Sequence, residues 1–187
     1  MNRKVYIILL LFLLLPVAML CGCVENTDQQ AVPNSRTELQ NSSTVQITDM
    51  LGRQLTVPAE ISSAIGTSSP PAILVYMLAP DKLAGWNSRQ NFTHPFMDEN
   101  YSNLPVIGNW LGTKTGNYET IIDMHPDIVI ESTSTYGKTN EVIERRQENL
   151  GSIPVVAIND SILFVTQSDP TIEYVGKLLN CEAQAKN

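Results

Sequence analysis

One stretch of the chain, residues 117–130, limits the possible folds more than any other. Apolar residues recur at helical spacing up to Met124. Pro126 then ends the helix, because proline has no N–H to donate and disfavours the α region in His125 before it. The residues from Ile128 to Ile130 run apolar without a polar face, a pattern typical of strands that helices cover on both sides. We therefore predict a parallel α/β sheet, in which ligands bind at the carboxyl ends of the strands.

From residue 45 onward, the chain alternates between predicted strands and predicted helices. It begins with a β-hairpin over 45–57, in which Gly52 is free to adopt a positive φ at the turn. The later strands are predicted at 61–66, 83–86, 105–108, 127–130 and 153–158, and the helices at 70–78, 118–124, 138–150 and 169–180. Such alternation implies right-handed crossovers and a doubly wound, mostly parallel sheet.

The later helices carry amphipathic patterns that predict which of their side chains are buried. In the helix 138–150, the predicted inward side chains are Val142, Ile143 and Leu150, and the predicted outward ones are Glu141, Arg145, Arg146 and Glu148. The last helix, 169–180, has an apolar stripe formed by Ile172, Val175, Leu178 and Leu179. Since few residues follow this helix, we expect the stripe to be an exposed patch that favours self-association.

The amino terminus has the features of an export signal, residues 1–23. Basic residues precede an apolar run, 5–20, whose sixteen uncharged residues are fewer than the roughly 20 that a membrane span needs. The run ends at Leu20-Cys21-Gly22-Cys23, which resembles the lipobox of secreted lipoproteins, with the lipid expected on Cys23. A signal anchor with incidental cysteines is the alternative. In either case the polar residues 24–44 form a flexible tether, and the domain lies at the extracellular face of the membrane or in the periplasm.

Composition argues against several classes of function. The chain has 12 basic and 19 acidic residues, a balance that argues against nucleic-acid binding. Beyond the export signal only Cys181 remains, so no disulfide framework is expected. With His94 and His125 as the sole histidines, a naked zinc or manganese ion lacks its usual ligands. The sequence has no Gly-x-Ser-x-Gly, phosphate-loop or dinucleotide motif, and we expect no enzymatic activity.

Several segments of the sequence, taken in order, resemble one family. They are the hairpin 47–58, the residues 76–78 (Tyr-Met-Leu) with 81–86, and the pattern Asn117-Tyr118-Glu119 followed by Pro126-Asp127 and an apolar strand. In this order they resemble periplasmic-type solute-binding proteins of the iron-siderophore and vitamin B12 class, which are the extracellular receptors of ABC importers. The resemblance extends over 45–187.

The resemblance implies an α/β fold of two lobes that face each other across a cleft and are joined by one long helix. On that basis residues 45–168 form the amino-terminal lobe and 169–187 the start of the interlobe helix, and we expect a truncated chain. The implied ligand is a ferric siderophore, haem or cobalamin, with no intrinsic cofactor. The implied partners are an ABC permease and its ATPase. A single-lobe surface adhesion or partner-binding module without a transport role is the alternative.

Ligand contacts are expected from the loops at the carboxyl ends of the strands. Flat rings at Trp110 and Tyr136 would face a corrin, haem or catecholate, and Arg89 and Lys114 would pair with carboxylates or an anionic iron chelate. The predicted ligand-binding set is Thr67, Ser68, Asn87, Arg89, Trp110, Lys114, Thr115 and Tyr136. Each of these residues, taken singly, also fits an ordinary solvated loop position.

An acidic residue on the outer face of the lobe is the remaining predicted site. The resemblance implies that Glu119 docks with arginines of the membrane permease. The alternative is a glutamate that stabilises the start of its helix through the helix dipole.

Overall fold

The protein was analysed as a computed structural model, which describes residues 43–89, 97–110, 116–133, 140–159 and 169–186. In chain order its elements are β1 (Thr44–Thr48), β2 (Gln54–Pro58), β3 (Ala64–Gly66), α1 (Ser69–Leu78), a 3-10 helix (Pro80–Lys82), β4 (Leu83–Gly85), α2 (Glu99–Ser102), α3 (Tyr118–Met124), β5 (Ile128–Ser132), α4 (Asn140–Leu150), β6 (Val155–Ile158), α5 (Asp169–Leu178) and α6 (Glu182–Ala185). No helix within these ranges is long and apolar enough to cross a bilayer. The export signal and residues 24–42 of the predicted tether lie outside the described residues, whereas Thr44, the last residue of that prediction, begins β1.

Strands β3 to β6 form a parallel sheet with the order β4-β3-β5-β6, and β1 and β2 form a separate antiparallel hairpin. Gly52 has a φ of +81° at the hairpin turn, as predicted, a conformation that glycine adopts without strain. The predicted strand over 105–108 is wrong. It shrinks to one parallel bridge between Val106 and Trp86, because Pro105 has no N–H for a ladder and Gly108, with a φ of +84°, turns the chain away.

The two faces of β5 explain why its sequence has no polar side. Ile128 and Ile130 pack into a core with apolar residues of α1 and α5. Val129 packs on the opposite face, with residues of α3 and α4. Every residue of β5 is buried, so the predicted doubly wound α/β sheet is confirmed.

The loop of the hairpin closes the outer edge of β6. The N–H of Ala157 donates to Asp49 Oδ2 at 3.2 Å, and its carbonyl accepts from the Met50 N–H at 3.1 Å. The carbonyl of Val155 accepts from Arg53 at 2.7 Å, and its N–H donates to Gln147 Oε1 at 2.7 Å. All the outward-facing backbone groups of these two β6 residues are therefore paired within the chain.

Asp49 holds this loop in shape. Its side chain is fully buried, and one of its oxygens lies 2.6 Å from Arg53 Nη2. Its other oxygen accepts from the N–H groups of Leu51 and Arg53, at 3.0 and 2.9 Å. A buried carboxylate is tolerated only when such donors surround it, so the turn and its contact with β6 depend on one side chain.

The expectation that the stripe on α5 is exposed is wrong. Val175 and Leu179 have no exposed surface, and Ile172 and Leu178 are partly buried against the same core as α1. Two hydrogen bonds tie this segment to the lobe: the Tyr174 hydroxyl donates to Thr48 O at 3.1 Å, and Lys82 Nζ donates to Leu179 O, just after the helix, at 2.6 Å. The sequence pattern gave the buried side correctly, but the lobe itself supplies the surface that covers it.

We predict that Asp49→Ala lowers the free energy of unfolding by about 3–5 kcal/mol, because it removes the buried carboxylate that pairs with Arg53 and accepts the N–H groups of Leu51, Arg53 and Ala157. Gln54→Ala is the matched control, since its amide makes an exposed hydrogen bond to Thr48; we expect this control to change stability by less than about 0.5 kcal/mol. Urea unfolding of the full chain in mild detergent measures both. Equal midpoints for the two variants would contradict the prediction.

Stability at high pH should depend on Tyr174. Burial, together with the nearby Asp49 carboxylate, raises the pKa of Tyr174 from 10.0 to about 12, and Arg53 opposes this. The folded state thus holds the phenol proton more tightly than the unfolded state, so this contribution is complete below pH 10 and is lost as the pH rises through about 12. We expect Tyr174→Phe to remove this loss, measured as urea midpoints from pH 9 to roughly pH 12. Parallel profiles for the native chain and the variant would refute the assignment.

Candidate functional site

The carboxyl ends of the four parallel strands bring a set of polar residues to one edge of the sheet. Thr67 follows β3, Asn87 follows β4 and Thr133 follows β5. Because parallel strands all end on the same side, these residues share the edge at which α/β sheets bind ligands. We define residues 67–69, 87–89 and 133 as the carboxyl-edge site.

Two predicted ligand residues at the end of β3 are buried. The backbone N–H and the hydroxyl of Thr67 donate to Ile130 O, at 3.1 and 3.4 Å. Its backbone carbonyl accepts from the backbone N–H of Trp110 at 3.1 Å. Ser68 is 5 % exposed and occupies the N-cap position of α1, yet its side chain makes no capping hydrogen bond. Thr67 therefore ties strands and loops together, whereas the Ser68 hydroxyl is not used by the helix it precedes.

Asn87 and Arg89 lie close together in the chain but differ in exposure. Asn87 is 3 % exposed, and its Nδ2 donates to Ser69 Oγ at 3.2 Å. Its Oδ1 is buried and has no hydrogen-bond partner. Arg89 is exposed, so its guanidinium is available to an anionic group at the same edge. The site thus presents a buried acceptor and an exposed cation.

Trp110 is placed inside the core. It has no exposed surface, its ring meets the Tyr118 ring edge-on with centroids 4.8 Å apart, and the Arg146 guanidinium lies 5.2 Å from its centroid. Gly116 is so close that a Cβ there would come within 2.1 Å of the indole Nε1. The ring that the sequence suggested as a ligand platform is packed against protein groups, and a ligand contact through it stays a prediction.

A buried ion pair lies beneath Trp110, and the prediction that Arg146 points outward is wrong. Arg146 Nη1 is 2.5 Å from Glu131 Oε2, and the two side chains are 1 % and 0 % exposed. The sequence pattern had placed Arg146 among the outward residues of its helix. The signal that could have revealed the pair is spacing, because Arg146 falls three residues after Ile143 and four before Leu150, on the apolar stripe of α4.

Several predicted residues fall outside the described part of the chain. These are Lys114, Thr115, Tyr136 and the lipidation site Cys23. Glu119 is described, and its carboxylate is exposed in the first turn of α3, where Asn117 Oδ1 accepts its N–H at 2.9 Å. Its role as a docking residue therefore stays a prediction.

Two grooves in the described part of the chain lie away from the carboxyl edge. One of about 730 Å³ runs along the amino ends of the strands, beside Pro126, Asp127 and Pro154. The carboxylate of Asp127 in this groove is already hydrogen-bonded within the protein. Its Oδ2 accepts from Ser62 N, Ser62 Oγ and Ser63 N at 2.7, 2.8 and 3.0 Å. The other, of about 600 Å³, separates β1 from α5. Neither groove has the unpaired buried polar group that the carboxyl edge has.

No family model and no curated protein sequence matches the chain. Solved structures do match it. A solute-binding protein of an ABC transporter from Sulfurospirillum deleyianum aligns with a TM-score of 0.59 and 24% identity, over 75% of this chain and 43% of its own. The molybdate periplasmic binding protein MolA of Haemophilus influenzae aligns with a TM-score of 0.58 and 19% identity, over 76% of this chain and 48% of its own.

A third match is Staphylococcus aureus SirA complexed with staphyloferrin B, with a TM-score of 0.55 and 18% identity over 76% of this chain and 44% of that one. The chain therefore has the fold of one lobe of a solute-binding protein. More particularly, the solved structures that match include ABC-transporter and periplasmic solute-binding proteins, so the resemblance seen in the sequence is confirmed at the level of fold. The chain spans less than half the length of each of these structures.

We predict that Arg146→Met lowers the free energy of unfolding by about 3–5 kcal/mol, because the Glu131 charge is then buried without its partner. Replacing both residues, as Glu131→Leu with Arg146→Met, should restore most of that loss, since no buried charge is left. The control is Arg145→Met, its exposed neighbour on α4, which we expect to change stability by less than about 0.5 kcal/mol. Urea unfolding distinguishes them, and equal effects at 145 and 146 would argue against the buried pair.

Proposed function

We propose that the chain is part of the substrate-binding component of an ABC importer and acts outside the cytoplasm. Its ligand is a ferric siderophore, haem or a cobalamin-like metal chelate. The observation that carries the proposal is the carboxyl-edge site, where buried Asn87 and Ser68 lie beside exposed Arg89 in the fold of a solute-binding lobe. A sheet of this kind binds ligands at that edge.

The chemistry of the described side chains favours a metal that arrives already chelated. Within the described ranges, no three His, Cys, Asp or Glu side chains come together to hold an ion. A bare transition metal needs several such ligands at once, whereas a chelate brings its own. The protein then has only to recognise the outside of the chelate, through hydrogen bonds, flat surfaces and charge.

Attachment to the cell surface and docking to the transporter complete the proposal. A lipid on Cys23 would hold the lobe at the membrane through the polar tether 24–44. The exposed Glu119 carboxylate, in the first turn of α3, would pair with an arginine of the permease, and the associated ATPase would drive import. The single carboxylate is a rim charge, so its removal should slow docking more than it weakens the docked complex.

The test is titration of the full chain, in mild detergent, with anionic ferric siderophores, haem and cobalamin, read by calorimetry. We expect saturable binding of one ligand class. If an anionic ligand binds, Arg89→Ala should weaken it roughly tenfold, because one charge-assisted hydrogen bond is lost. Arg145→Ala, which removes an exposed arginine from α4, is the control and should leave affinity unchanged. Failure of every ligand to bind would refute the proposal.

A further inference from the structure

The carbonyl oxygen of Asn87 is a polar group that the protein leaves unused. The residue is 3 % exposed, and its amide nitrogen is already paired with Ser69 Oγ at 3.2 Å. The oxygen of the same amide is buried without any partner. An unpaired buried acceptor destabilises the protein that carries it, so its presence at the ligand-binding edge calls for a partner that is supplied from outside.

The neighbouring helix start is poorly suited to a bare anion. Helix N-termini bind anions through the free N–H groups of their first turn. In α1 the second and third residues are Pro70 and Pro71, which have no N–H. The N–H of Ala72 already donates to Ser68 O at 3.2 Å. Of the first three residues of α1, only Ser69 has a backbone N–H. This edge therefore offers the Asn87 oxygen as an acceptor, whereas an ordinary helix start offers several N–H donors.

We propose that Asn87 Oδ1 accepts a hydrogen bond from an N–H or O–H group on the ligand. This inference rests on the proposed function and narrows its ligand class. The cargo is a metal chelate whose periphery carries amide or hydroxyl donors. Corrinoids, with their carboxamide side chains, and peptide-based ferric siderophores share this chemistry. Haem, whose propionates only accept hydrogen bonds when ionised, and bare oxyanions such as molybdate do not.

Exposed Arg89 fits the same ligand class. It lies two residues after Asn87 in the chain and is exposed, so it can donate to a carbonyl or oxyanion elsewhere on the ligand. A ligand with both donors and acceptors at its rim would satisfy both side chains at once. A ligand with acceptors alone would pair with Arg89 and leave the Asn87 oxygen buried and unpaired, which lowers its affinity.

The experiment compares Asn87→Leu with the native full chain in mild detergent. Leucine has nearly the size of asparagine but no acceptor. The probes are dicyanocobinamide, which carries carboxamides, ferrichrome, which carries peptide N–H groups, haem, and molybdate. We expect one of the two donor-bearing probes to bind the native chain, and Asn87→Leu to weaken it roughly tenfold to a hundredfold. Which of the two binds separates a corrinoid from a siderophore.

Two further variants keep the result interpretable. Asn149→Leu changes an exposed asparagine at the opposite edge of the sheet and should leave affinity unchanged. Asn87→Asp keeps acceptor oxygens at the same place, so it should bind the donor-bearing probe more tightly than Asn87→Leu does. It also serves if the leucine variant fails to fold. Urea unfolding of each variant checks that it is folded, because Asn87→Leu removes the Nδ2 hydrogen bond to Ser69 as well as the unpaired oxygen.

Specific outcomes would overturn the inference. Equal affinity of the native chain and Asn87→Leu for a donor-bearing probe would do so. So would binding of haem or molybdate that weakens in Asn87→Leu, because the amide would then present its N–H to the ligand. Binding of haem but of neither donor-bearing probe would refute the inference while the proposed function stands. If no probe binds, the inference fails, and the proposed function fails as well only if the anionic ferric siderophores of its own titration also do not bind.

Discussion

The lobe depends on burying β5 on both of its faces. A parallel strand covered by helices on each side has nowhere to place a polar side chain unless a partner is buried with it. The one charged residue of β5, Glu131, meets this condition through Arg146. The same double coverage leaves the carboxyl edge of the sheet as the place where buried backbone meets polar loops. The position of the carboxyl-edge site thus follows from how the core is covered.

Much of the fold could be predicted from local patterns. The bounds of α3 were predicted residue for residue as 118–124, because apolar spacing and the proline at 126 mark its extent. The hairpin turn followed from Gly52 in the same way. The strand predicted at 105–108 failed because a short apolar run cannot show whether a neighbour pairs with it. Burial of Arg146 also depends on its partner Glu131, fifteen positions earlier in the chain.

The candidate site was less predictable than the fold, for a physical reason. An aromatic ring such as Trp110 suits a core and a ligand platform equally well by sequence, and only its neighbours decide between them. Asn87 was correctly placed at the carboxyl edge. That its oxygen is the unpaired atom depends on the hydrogen bond of its amide nitrogen to Ser69, 18 residues away. Contacts of this kind leave no periodic trace in the sequence. Lys114, Thr115 and Tyr136 lie outside the described residues, so their roles stay predictions.

The hairpin loop that covers the outer edge of β6 has a consequence for aggregation. A bare edge strand is a template on which another chain can add its own strand, and repeated addition leads to fibrils. Here the outward groups of Val155 and Ala157 are already bound by the hairpin and by Gln147. Copies of the chain that meet at high local concentration therefore find no free ladder to extend at this edge. The hairpin loop thus blocks strand addition at the β6 edge.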